Sequence, residues 1–288
     1  MRGLLATTLA LGLLAAACKT TASGGPSDHD PDASAADAPD ASTGEETCDL
    51  PQGATSGKRL RLVYLIPSDK EADPEVLAAL EGAVRHVQLW LSARMPDGTS
   101  FRISEPPVEV SAVAHPAAYY STNDAGGDPE QRFWFNVTAD AFDATGGSFD
   151  DPDNVWLYYI DADAGCGQID AGANTHVAMF AANEIRGLRN QPLQDQCTSD
   201  EIENPGRCRY VGGLAIIMFY AIGIGAPAAC TDAEEAGTEC PEDAITWLGY
   251  YTYPDAELIP ENVEQAEDNP FVRAIGLPDC DMDCSVVP

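Results

Sequence analysis

Gly212 to Ala229 is a run of eighteen residues without a charge, in a chain of 288 residues whose formal net charge is −32. Three destinations are open to such a run: a membrane span, a buried core helix, or the place of a lost polar site. Eighteen residues is the lower limit for crossing a bilayer. Glycines and a proline interrupt the run, and Cys208 and Cys230 bracket it. A span would put those cysteines on opposite sides of the bilayer and split a domain whose strands need sheet partners. A helix apolar all round is instead buried on most sides, and Gly223 and Gly225 would weaken and end it. A core helix is the expectation.

The N-terminus is set aside before fold is considered. Arg2 supplies a positive start, Leu4 to Leu14 a short apolar run, and Ala15-Ala16-Ala17 precede Cys18. This reads as a bacterial lipoprotein signal peptide over residues 1–17, too short for a stable span, with Cys18 as the lipid attachment site. An ordinary signal peptide cut nearby is the other reading. Residues 18–47 are Ala, Asp, Ser, Pro and Gly with almost nothing to bury, the composition of a flexible acidic tether. Residues 48–288 then form the folded domain. The expected location is the bacterial cell envelope, on the periplasmic or cell-surface face of the outer membrane, with the membrane reached through the lipid. The strongly acidic balance argues against nucleic acid as a partner.

Apart from Cys18, eight cysteines remain: Cys48, Cys166, Cys197, Cys208, Cys230, Cys240, Cys280 and Cys284. An even number in an exported chain points to disulfides. Cys197 with Cys208 and Cys230 with Cys240 are the preferred local pairings, although spacing alone leaves the connectivity open. No CxxC occurs and the spacings fit no zinc ribbon.

Along the domain, Arg59 to Pro67 alternates and is rich in β-formers, so it reads as a strand. Asp73-Pro74 opens a long helix with Val76, Leu80, Val84, Val87 and Leu91 as its apolar stripe. Val108 to Ala114 reads as a strand and Asp128-Pro129 as the start of another helix. Val155 to Ile160 and His176 to Ala181 read as buried strands, and a short helix is expected near Pro260. The order implies an α/β domain with a mixed sheet, a long N-terminal helix, the buried apolar helix and an irregular, disulfide-bearing C-terminal part.

Val211-Gly-Gly-Leu-Ala215 leading into a helix, then Gly223 and a Pro-Cys stretch, resembles secreted bacterial metallopeptidases of the zincin and metzincin type. Their pattern is H-E-x-x-H-x-x-G-x-x-H, in which two histidines four apart bind zinc and the glutamate polarises the metal-bound water. Laid on this chain, the histidines fall on Ile216, Tyr220 and Ala226, the glutamate on Ile217 and the glycine on Gly223. Only the glycine is kept. Ala244 to Leu258 resembles the segment carrying the methionine turn, with Thr246 at the methionine position. The resemblance implies a pseudopeptidase: no zinc ligands, no catalytic glutamate, no cofactor, and a role as a binding or structural module for a peptide or protein. The alternative is an active metallohydrolase using a non-standard site built from His115, His176 and acidic residues.

Other features carry less. His86, His115 and His176 share no ligand spacing, so each is expected to be structural. Asp161 to Asp170 fails as an EF-hand, with Cys166 at the glycine position and Gly172 at the bidentate acid. Asn136-Val-Thr138 is a glycosylation sequon that lies within the second helix.

Overall fold

RLRLVYLI, strand β1 (Arg59–Ile66), is the second strand of a five-stranded sheet, and its neighbours set the architecture. The computed structural model describes residues 53–54, 56–124, 126–191, 193–194, 201–202, 206–226, 230, 241–277 and 283–284. All of them fall within one compact unit, Thr47–Pro288.

After β1 the chain enters α1 (Pro74–Arg94), where Asp73 caps the first turn by accepting from the Glu75 amide at 2.9 Å. The cap satisfies one of the donors a helix start leaves unpaired. A short strand β2 (Thr99–Phe101) leads into β3 (Ile103–Ala112), which starts earlier than the sequence suggests because it runs through Pro106 and Pro107. Prolines are tolerated there since β3 lies at the edge of the sheet. Helix α2 (Ala117–Thr122) follows. Asp128-Pro129 then opens a single 3-10 turn before α3 (Arg132–Thr145).

Strands β4 (Asn154–Ile160), β5 (Ala171–Asn174) and β6 (Val177–Phe180) complete the sheet in the order β3-β1-β4-β6-β5. Its pairings are parallel except that of β5 with β6. The fold is therefore α/β with a mostly parallel mixed sheet, as expected. Helix α4 (Ala182–Leu188) and a two-stranded ladder of β7 (Leu193–Gln194) and β8 (Glu201–Ile202) precede α5 (Arg207–Ile222). Helix α6 (Pro260–Glu267) and β9 (Val272–Ala274), which pairs with β2, come last.

Side chains alternate across the strands, so the sheet divides the interior in two. Leu60, Leu62, Tyr64, Val155, Leu157 and Tyr159 face α1 and α5. Val63, Leu65, Trp156, Tyr158 and Ile160 pack with Phe133 and Val137 of α3. With both faces covered, the central strands are buried apart from Arg59, Arg61 and Asn154, the pattern of parallel sheets.

Candidate functional site

Helix α5 carries the positions singled out by the metallopeptidase pattern. At sixteen residues it spans only about 24 Å at 1.5 Å per residue. Among the described residues no helix is long and apolar enough to cross a membrane. The run GGLAIIMFYAI is interior because it packs against α1, α4, β5 and the 249–251 turn. Gly212 permits one of these close approaches. A Cβ there would lie 2.6 Å from the Tyr250 carbonyl oxygen and 2.7 Å from Tyr253 Cβ.

Ile216 and Ile217 are buried, 9% and 8% exposed, and belong to the core facing α1. Tyr220 is partly buried, and its hydroxyl donates to the Thr246 carbonyl oxygen at 2.6 Å. Burial pushes its phenol up to about 12, so near neutrality it stays protonated and acts as a donor. Gly223 ends the helix in the left-handed conformation at φ 92°, which a residue without a Cβ adopts freely. Ala226, half-buried, directly follows a second anchored glycine: the Gly225 amide donates to Gln265 Oε1 at 3.0 Å and its carbonyl accepts from Asn262 Nδ2 at 3.1 Å. Asn269 Nδ2 donates to the Ile222 carbonyl at 2.5 Å, and Thr246 Oγ1 donates to Asn262 Oδ1 at 2.9 Å. Side-chain amides on and after α6 thus answer backbone groups that the end of α5 leaves open.

Chemically, this end of α5 is closed. Isoleucine offers no lone pair, and a neutral phenol already committed to a carbonyl is a poor metal donor. No carboxylate stands at position 217 to take a proton from water.

The histidines do not converge. His86 Nδ1 contacts the Tyr253 hydroxyl at 2.6 Å inside the α1 interface. His115 follows the C-terminal end of β3, stacks on Tyr119 and meets Asp140 Oδ2 at 2.8 Å. His176 precedes the N-terminal end of β6 and sits edge-on to Phe271. Since β3 and β6 run the same way in one sheet, His115 and His176 occupy opposite ends of it. In the segment from Asp161 to Asp170, two carboxylates already face cations: Asp161 meets Lys70 at 3.4 Å and Asp163 meets Arg186 at 2.5 Å. Asn136 is buried, its amide nitrogen donating to the carbonyls of Tyr120 and Asn123, so its side chain is an internal link rather than a glycan acceptor.

The local pairing expected for Cys208 is wrong. Cys208 bonds Cys284, 76 residues away, because the C-terminal segment returns to the start of α5. Proximity there is a property of the fold, not of spacing. Arg207 beside it donates to the Cys284 carbonyl at 3.4 Å and to the Ala79 carbonyl at 3.3 Å. Cys166 and Cys230 are also disulfide-bonded. Cys18, Cys48, Cys197, Cys240 and Cys280 lie outside the described residues, as do the signal segment and the tether. The only cluster of metal-ligand types among the described residues is Cys208, Asp283 and Cys284, whose sulfurs are bonded to one another.

One group of ionisable residues escaped the sequence reading. Glu184 of α4, Asp170 before β5 and Arg209 of α5 share a partly buried space beside Gly213. A Cβ on that glycine would lie 3.5 Å from Glu184 Oε2 and 3.6 Å from Arg209 Nη1. Burial, then the negative charge of Asp170, pushes Glu184 up to about 7, while Arg209 acts in the opposite sense. Asp170 is also raised, chiefly by burial. Arg209 lies over the rings of Tyr250 and Tyr251, at 4.2 and 4.3 Å from their centroids. The only hint in the sequence is a glutamate among the apolar residues Ala182, Ile185 and Leu188. No protein-family model matches the chain, and no curated protein matches it.

Proposed function

We propose that this chain is an envelope-tethered, zincin-like domain without peptidase activity, acting as a binding module. The observation that carries the reading is the hydrogen bond from Tyr220 to the Thr246 carbonyl. It ties the position of the second zinc histidine to the position of the methionine turn, with Ile216 and Ile217 buried beside it. The long helix α1, the mixed sheet and the left-handed Gly223 after α5 support the same reading. Lipidation at Cys18 would hold the domain at the membrane, about two signals being needed for stable anchoring.

For the ligand, the edge of the sheet is the natural place. Strand β5 ends the sheet, and no described strand pairs with its outer side. An extended segment could add there by main-chain hydrogen bonding and leave uncut. The opposite edge, β3, carries Pro106 and Pro107, which blunt such pairing.

The test restores the missing pattern with Ile216→His, Ile217→Glu, Tyr220→His and Ala226→His. Positions 216 and 220 share one helix face, and Gly223 already turns the chain. Each new polar group left without a partner costs about 1–3 kcal/mol, which zinc offsets only if the imidazoles converge. The parent, purified without chelator, should carry no zinc, and the variant should bind one ion and melt higher with it. Should the quadruple variant fail to fold, Ile216→His with Tyr220→His is the smaller trial. Stoichiometric zinc in the parent, or folded variants that gain no zinc affinity, would refute the reading.

A further inference from the structure

A second opening in the described structure lies away from α5. A cavity of about 410 Å³ lies between α1, the β2–β3 connection and β9, and three arginines line it: Arg85, Arg102 and Arg273. The chain has 15 basic residues against 47 acidic ones. Three guanidiniums around one opening is therefore the reverse of what composition distributes.

Their neutralisation is incomplete. Arg85 pairs with Glu81 at 2.9 Å. Glu105, beside the lining residue Gly53, accepts from the Gly53 amide at 3.0 Å. Arg273 donates to the Lys58 carbonyl at 3.2 Å, and its Nε is buried without a hydrogen-bond partner. Arg102 is exposed, with no carboxylate partner among the described residues. Like charges gathered without counter-charge repel one another, and an anion in their midst removes that cost. Guanidinium forks match carboxylate and phosphoryl oxygens two at a time. The wall also contains Gln88, 3% exposed, whose amide nitrogen is fixed on the Phe101 carbonyl at 2.6 Å while its Oε1 is buried without a partner. A ligand with a hydroxyl or ammonium beside its anionic group would complete that wall, where a bare halide would not.

We infer that this cavity binds a small organic polyanion, held by Arg102 and Arg273 with Arg85 as the third cation. The volume lies in the range of small-molecule sites. The overall negative charge does not forbid it. At about 0.1 M ionic strength charges farther than about 10 Å are largely screened, whereas guanidiniums in contact with the ligand are not. The inference is independent of the reading of α5.

Calorimetric titration of the full chain with citrate and, separately, inorganic pyrophosphate at about 0.1 M salt tests it. Citrate reports carboxylate and pyrophosphate reports phosphoryl chemistry; at least one should saturate at one equivalent and weaken as salt is raised. Arg102→Gln alone, a change at an exposed side chain, should weaken that binding about threefold, and with Arg273→Gln about tenfold or more. If neither probe saturates, or if folded Arg102→Gln binds as tightly as the parent, the site does not exist as described.

Discussion

The last turns of α5 and the arginine-lined cavity treat polarity in opposite ways. At α5 the backbone groups near the helix end are met by Asn262, Gln265, Asn269 or Tyr220, and the remaining surface is apolar. At the cavity, among the described residues, Gln88 Oε1 and Arg273 Nε are left without partners and the exposed Arg102 has no carboxylate partner. Buried polar groups cost little when paired and much when not. The first region is thus finished by the chain itself, whereas the second is finished only by something added. The contrast separates stability from binding, and substitutions in the two places should report different things.

The largest effect belongs to the sealed side. Phe219 is fully buried in α5 and lies 6.2 Å, centroid to centroid, from Trp90. Phe219→Ala should lower unfolding free energy by about 3–5 kcal/mol, measured by chemical denaturation. A loss under about 1 kcal/mol would mean that α5 is not core. Next is Glu184. Its carboxyl holds a proton more tightly folded, at about 7 against an ordinary 4.5. The folded state is therefore favoured below the lower value and loses that advantage as pH rises to about 7. The loss is on the order of 3 kcal/mol. Denaturation midpoints should fall across that window in the parent and stay flatter in Glu184→Gln; parallel pH profiles would place Glu184 in water.

Tyr220→Phe tests a single bond and should cost about 1 kcal/mol, read as a small drop in Tm with an unchanged fold. If the variant is no less stable, the link to Thr246 does not seal the helix. The smallest expected change is at the open side: Arg102→Gln should alter stability by under about 0.5 kcal/mol. A large loss there would make the arginines structural and erase the contrast.

What could be read beforehand follows the range of the interactions. Strand β1, helix α1 and strand β4 are written locally, in alternation, in Asp73-Pro74 and in an unbroken β-rich run, and they stand within a residue or two of where those signals put them. Strand β5 was not legible: its sequence AGAN has poor β-forming residues, and the strand exists because it pairs with β6. The burial of Ile216, Ile217 and Met218 was plain from their chemistry. The cap on α5 was not, since it comes from residues 37 to 47 positions downstream. Distance hid the cavity too. Arg85, Arg102 and Arg273 share no motif, and only the pairing of β2 with β9 brings the last of them to the others.

The bond between Cys208 and Cys284 has a consequence for how this molecule can be taken apart. It closes a covalent ring over 76 residues, from the first turn of α5 almost to the C-terminus. The 249–251 turn, α6 and β9 all lie within that ring. A protease that cuts once anywhere inside it opens a loop but severs no piece. The nicked chain keeps its mass, and the elements that cover α5 stay tethered close to their seats, at a high effective concentration for docking back. After a single cut, that part of the protein comes away only once reductant opens the bond.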